Sequence, residues 1–234
     1  MKSRKDRKTR QEKLNFALKK IEPLTENQKI SFEAYREGKN LLLHGIAGTG
    51  RSFISTYLAL DELINKNQSL YEKLVIIRSV VPTRDMGFLP GNAKEKSRVY
   101  EGPYYAICSE LFGRGDAYDY LKNKNLVEFQ TTSFIRGLTF NNCIIIVDEM
   151  ANCTLHELDS VITRIGKNCK VMFCGDFRQS DLVKRHEKDG LLDFLRIIRK
   201  MNSFTFVDFD ENDIVRSALV RDYIIQKDRL GIAS

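Results

Sequence analysis

Several things are missing from this 234-residue sequence. No apolar run approaches the length of a membrane span, and the basic amino terminus lacks the apolar core an export signal needs. The five cysteines (Cys108, Cys143, Cys153, Cys169, Cys174) contain no Cys-x-x-Cys pair and no metal-ligand spacing. Cys143 and Cys174 fall in apolar strand-like runs and read as buried apolar residues. Their odd number and scatter predict a reducing, cytoplasmic compartment. His44, His156 and His186 are dispersed and make no catalytic constellation. No internal repeat or low-complexity segment occurs. What remains is a composition of 42% hydrophobic and 29% charged residues, that of a soluble globular chain long enough for one sizeable α/β core.

The most informative stretch is Gly45-Ile46-Ala47-Gly48-Thr49-Gly50-Arg51-Ser52. A phosphate-binding loop asks for Gly, four residues, Gly, Lys, then Ser or Thr. Only Arg51, at the lysine position, departs. Leu41-Leu42-Leu43 before it reads as a buried parallel strand. Apolar residues at helical spacing follow over 53–65. Strand, Gly-rich loop and helix are the context the motif needs. Glycines let successive N–H groups turn inward, and the helix N-terminus adds partial positive charge. Ser52 is placed to ligate Mg2+. The pattern predicts a nucleoside triphosphate as ligand.

A second motif is Ile144-Ile145-Ile146-Val147-Asp148-Glu149. A buried strand there delivers two acids at its C-terminal end, where open α/β sheets bind ligands. Asp148 suits Mg2+ and Glu149 suits polarising a water. Kinases of small metabolites need no water-activating acid, so the pair points to hydrolysis. A third strand end carries Gly175-Asp176-Phe177-Arg178-Gln179, with Gln179 a candidate γ-phosphate contact and Asp176 structural.

Around these motifs the periodicity predicts helices over 24–37, 103–113, 154–165 and 189–201, and a closing amphipathic helix over 212–227. Strands are predicted over 74–78, 127–130, 142–147, 170–174 and 203–209. Thr25 with Gln28, and Thr154 with Glu157, have capping-box spacing. Residues 79–102 read as a long irregular, functional stretch. Alternating strands and helices predict an α/β fold: a mainly parallel sheet in a three-layer, RecA-like P-loop NTPase architecture.

Charge is unevenly placed. Lys2, Arg4, Lys5, Arg7, Lys8, Arg10, Lys13, Lys19 and Lys20 oppose only Asp6 and Glu12, which accounts for the whole net charge of +7. Residues 1–20 thus form a basic tail, an arm for nucleic acid or a solvated terminus, and 21–234 the domain.

In order along the chain, Gly87-Phe88-Leu89-Pro90-Gly91, Glu95-Lys96, Arg136-Gly137-Leu138-Thr139-Phe140, Val147-Asp148-Glu149, Thr163-Arg164-Ile165-Gly166, Gly175-Asp176 with Gln179 and Asp181, and Asp213-Ile214-Val215-Arg216 with Leu219-Val220 resemble the PhoH-like family. The resemblance spans roughly residues 24–225, and the length is similar to its phage-encoded or minimal members. It implies a cytoplasmic ATPase related to the superfamily-one helicase core, associated with RNA or single-stranded DNA, and a tendency to homo-oligomers such as a hexamer. Carried over, Gln28 would recognise adenine; Gly48, Gly50, Arg51 and Ser52 would hold phosphates and Mg2+. Asp148 would be the metal acid, Glu149 the water-activating acid, Gln179 the γ-phosphate sensor and Arg216 an arginine finger. Each has a plainer rival: Gln28 as a helix cap, Arg216 as a surface residue, Arg136 as packing beside Gly137. Arg78, Arg84, Lys94, Lys96 and Arg136 are the nucleic-acid candidates, while Tyr100, Tyr104 and Tyr105 read as core.

The sequence departs from that family at Arg51, and at Met150-Ala151 after the acid pair. Arg keeps the charge of Lys but is a wider planar fork. Phosphoryl transfer is mostly positioning and electrostatics. The expectation is retained nucleotide binding with slow turnover; the alternative is a hydrolysis-deficient assembly or nucleic-acid-binding module.

Overall fold

The computed structural model describes residues 16–65, 69–79, 93–177 and 185–232, with side chains described outside 93–98 and 185–189. In chain order the elements are α1 (Glu26–Arg36), β1 (Asn40–Gly45), α2 (Arg51–Ile64), β2 (Lys73–Arg78), α3 (Ala93–Phe112), α4 (Ala117–Asn123), β3 (Val127–Thr131), β4 (Cys143–Asp148), α5 (Leu155–Ile162), β5 (Cys169–Gly175), α6 (Arg185–Arg199), β6 (Phe204–Phe209) and α7 (Ala218–Arg229).

The six strands form one sheet in the order β3-β2-β4-β5-β1-β6, and every pairing is parallel. All C-terminal ends therefore open on one edge. β5 lies between β1 and β4, so the loop after β1 and the acids ending β4 stand one strand apart.

The strands are apolar on both faces because both are covered. Leu41, Leu43, Ile144 and Ile146 join the layer of α1 to α4. Leu42, Ile145, Val147 and Phe173 join the layer of α5 and α6. Alternate residues of a strand point to opposite faces, so one continuous apolar run serves two cores. Leu41, Leu42 and Leu43 are fully buried, each worth about 1.5–3 kcal/mol of hydrophobic transfer. This is the α/β three-layer, RecA-like architecture expected.

Three elements differ from expectation. α3 begins at Ala93, so the irregular stretch predicted over 79–102 is helical in its last part. Pro103 sits inside that helix, where its missing N–H breaks only one bond of a 20-residue element whose middle packs into the core. Residues 117–123 also form a helix that periodicity missed. The closing helix divides instead of running over 212–227. Asp210 caps a single turn, Glu211–Asp213, and residues 214–217 then run along the Gly-rich loop before α7. α7 contains no buried residue, and Leu219 and Tyr223 are exposed, so its predicted apolar face is not packed on the core.

Gly45 shows how tightly the sheet closes around the loop. Its φ is +143°, and a Cβ there would stand 2.1 Å from the Phe209 carbonyl oxygen of β6. Gly45→Ala is expected to lower stability by more than about 1 kcal/mol, read as a reduced midpoint in urea denaturation; an unchanged midpoint would show that β6 yields freely.

Candidate nucleotide site

β1 ends at Gly45, and α2 starts at Arg51 with Gly50 as its N-cap at φ 82°. A left-handed angle at the cap suits glycine and turns the chain directly from loop into helix. The loop of Gly45, Ile46, Ala47, Gly48, Thr49 and Gly50 is braced from within by Thr49 Oγ1, which donates to the Ile46 carbonyl at 3.1 Å.

The two strand ends meet at one hydrogen bond. Ser52 Oγ, in the first turn of α2, donates to Asp148 Oδ1 at 2.8 Å. Asp148 is 4% exposed. Its other oxygen accepts from the Tyr104 hydroxyl at 2.7 Å. Burial first, and the neighbouring Asp148 second, hold the Tyr104 phenol far above its ordinary pKa, so it stays a donor. Tyr104 is fully buried in α3, as a core reading requires, yet its hydroxyl orients the acid. Nothing in sequence periodicity separates those two roles; the signal is a tyrosine on an otherwise apolar face.

Glu149 follows at φ 51°, a left-handed conformation that is uncommon outside glycine. Its Oε1 lies 4.0 Å from Arg78 Nη2, at the end of β2, whose register partner is Asp148. Arg78 is thus drawn to the acid pair.

Arg51 lies among the acids. Its Nη1 is sealed from solvent and has no hydrogen-bond partner among the described residues. Burial depresses its pKa, while Cys174, Asp176, Glu149 and Asp148 pull the other way. A guanidinium stays cationic under such a shift. The arrangement fits an anion: a buried donor without a partner is costly, and a phosphate oxygen would satisfy it. Ser52 and Asp148, an oxygen donor pair, suit Mg2+ in the same cleft.

Gln28 faces the same loop from outside. Its Nε2 donates to the Thr49 carbonyl at 3.2 Å, and its Oε1 accepts from Leu24 N at 2.7 Å. Thr25 caps α1 as expected by accepting from Gln28 N, but the return bond goes to Leu24 rather than to Thr25. Residues 214–217 cover the loop's other flank. Val215 N donates to the Gly48 carbonyl at 3.1 Å, and a Cβ on Gly48 would lie 3.1 Å from both Arg216 Cγ and Ile224 Cδ1. Arg216 therefore sits on the loop of its own chain.

His44, in β1, stacks on Phe177 with centroids 4.2 Å apart and 14° between planes, and its Nδ1 accepts from Phe177 N. It ties the loop after β5 to the end of β1, a role its isolated position in the sequence did not suggest. Arg136 lies elsewhere: β3 is the far edge strand, about 19 Å from β1 at four strand spacings. Arg84, Gln179, Asp181 and residues 1–15 and 87–91 lie outside the described residues, and Lys94 and Lys96 stand in α3 with side chains outside the description. The cysteines are free thiols, and burial pushes Cys108 and Cys174 up to about 12. No His/Cys/Asp/Glu cluster for a metal, and no helix long and apolar enough to cross a membrane, occurs among the described residues.

A Gly-rich loop between β1 and α2, an acid pair ending β4 and one strand between them define the P-loop NTPase fold. Residues 20–226 match the family described as PhoH-like protein. The chain belongs to that family. It is 34% identical over 186 residues to Protein PhoH of Escherichia coli (strain K12), covering 78% of this chain and 51% of that one. It is 30% identical over 194 residues to the PhoH-like protein of Bacillus subtilis (strain 168), covering 82% and 59%. The chain thus spans little more than half the length of these curated relatives. Among solved structures it is similar to the UvsW helicase from bacteriophage T4, at 22% identity and a TM-score of 0.48, over 89% of this chain and 67% of that one.

Gln28 makes one bond to the loop, at Thr49, and one to Leu24 ahead of α1. Gln28→Ala is expected to cost about 1–3 kcal/mol in denaturant unfolding, because the Thr49 carbonyl and the Leu24 N–H lose their partner. Undiminished stability would leave Gln28 free to serve a ligand alone.

Proposed function

We infer that this chain binds ATP with Mg2+ and hydrolyses it to ADP and phosphate, coupled to RNA or single-stranded DNA. The observation that supports the reading is the 2.8 Å bond from Ser52 Oγ to Asp148 Oδ1, which brings together two residues 96 apart, both suited to ligate Mg2+. Ser52 and Asp148 would hold Mg2+, which would supply charge neutralisation to the phosphates.

The chain's own groups then have distinct tasks. Backbone N–H groups of the loop cradle the phosphates, with Gly48 and Gly50 supplying the positive φ angles. Arg51 turns its unpartnered Nη1 on a phosphate oxygen. Glu149 takes up the attacking water once its side chain leaves Arg78. Gln179 senses the γ-phosphate, a role resting on the sequence motif. Arg216, already against Gly48, stabilises transition-state charge from its own chain. Gln28 positions the loop, because its amide is engaged with Thr49 and Leu24. Arg78, Arg84, Lys94, Lys96 and Arg136, with the basic tail, are assigned to nucleic acid. Cytoplasmic location and a hexameric ring complete the reading on family resemblance.

Arg51 supports a second reading, a module that binds nucleotide without turning it over. Its fork must share a space suited to a compact ammonium, and a shift of about 1 Å costs on the order of a hundredfold in rate. Steady-state phosphate release, with and without RNA, on this chain and on Arg51→Lys decides between them. The expected outcome is stimulation by RNA and a rate tenfold to a hundredfold higher for Arg51→Lys, by the same positioning argument. Equal rates remove the assignment of slow turnover to Arg51. Nucleotide binding without phosphate release from either protein selects the non-catalytic module.

Tyr104→Phe is expected to raise the Mg2+ concentration that half-saturates binding of a fluorescent nucleotide by about tenfold, since removing a bond to a metal-ligating carboxylate costs about 10–100-fold. Binding without Mg2+ should be unchanged. An identical Mg2+ dependence would reduce Tyr104 to packing.

A further inference from the structure

The chain after β3 holds exposed groups in fixed positions. Thr132–Phe134 makes a single 3-10 turn, and Ile135 then buries completely. Leu138 N donates to the Ile135 carbonyl at 3.1 Å, with Gly137 at φ 82°. That closes a tight turn with Arg136 and Gly137 at its centre, where the third residue needs a left-handed angle. Phe140 buries next, and its N–H donates to the Arg164 carbonyl at 2.8 Å. The strip is therefore pinned at both ends, by Ile135 and Phe140, and presents what lies around and between them.

What it presents is an aromatic ring beside a cation. Phe134 is 58% exposed. Arg136 is exposed, and its Nη2 lies 3.0 Å from Nε2 of His156 in α5. The contact is a hydrogen bond in which the guanidinium donates and an unprotonated Nε2 would accept. Of the acids on α5, Glu157 accepts from Ser79 Oγ, Thr132 Oγ1, Thr154 N and Thr154 Oγ1, so its charge is already met by four donors, while Asp159 is exposed.

The strip opens on the same edge of the sheet as the nucleotide site. Thr131, at its start, is the register partner of Arg78, which reaches Glu149. A ring with a free face and a fixed cation match an unstacked base and its phosphate. Leu138, 39% exposed, lies in the same strip.

We propose that Phe134 and Arg136 form a contact for one nucleotide of a single-stranded nucleic acid, the ring stacking on the base and the guanidinium pairing with an adjacent phosphate. The assignment rests on the nucleic-acid reading above and names where that strand is held.

The two groups have different signatures. Binding of a fluorescein-labelled oligo(U) RNA and a single-stranded oligo(dT) is measured by anisotropy over a salt series, on the unaltered chain, Phe134→Ala and Arg136→Ala. Both side chains are exposed, and thermal melting followed by circular dichroism checks that the variants fold. Phe134→Ala should weaken binding about fivefold to 150-fold with the salt slope unchanged. Arg136→Ala should weaken it most at low salt and reduce the slope by about 0.7, the share of one phosphate contact. An unaltered chain that binds while both variants bind equally well overturns this contact and leaves the nucleic-acid reading standing. An unaltered chain that binds neither oligonucleotide overturns both. If Phe134→Ala shifts only the sedimentation coefficient, the strip is an interface between copies, and the proposal fails.

Discussion

The hydrogen bond from Ser52 to Asp148 is the contact on which the rest of the site depends. It can form only if the C-terminal ends of β1 and β4 are level, which the parallel register through β5 secures: His44 pairs with Gly175, and Val147 with Phe173. That register is maintained by strands apolar on both faces, and a slip of one residue would exchange the two cores. The two cores thus specify where an oxygen of one loop meets an oxygen of another.

Around that bond the protein holds several groups in place. Tyr104 takes one oxygen of Asp148, and Ser52 takes the other. Gln28 fixes Thr49 on one side of the loop, and Val215 fixes Gly48 on the other. Arg51 stands apart from these groups: its Nη1 has no partner among the described residues. An arrangement satisfied at its edges and unsatisfied at its centre is what an anion-binding cleft requires.

Much of this was legible in the sequence, because it rests on local chemistry. Glycines at fixed offsets, three leucines before them and four apolar residues before an acid pair read directly as strand, loop and strand end. The capping box of Thr154 and Glu157 formed as spaced. The misses share a physical cause. The start of α3, the one-turn helix at Glu211–Asp213 and the extended run 214–217 are decided by what the chain packs against, not by its own periodicity. Tyr104 was legible as core and not as a partner of Asp148, since burial and a hydrogen bond at the ring's tip leave the same trace in a sequence. Gln28 reads in the sequence as the capping-box partner of Thr25, but its side chain bonds Leu24 N and the Thr49 carbonyl, the latter 21 residues away and part of the tertiary fold.

The run through Val215 and Arg216 has one more consequence. Subunit-shared sites are assembled from two chains and fall apart on dilution. Here Gln28, Arg51, Ser52, Asp148, Glu149 and the stem of Arg216 all surround one loop within a single polypeptide. These contacts are made within one polypeptide and need no second copy to form.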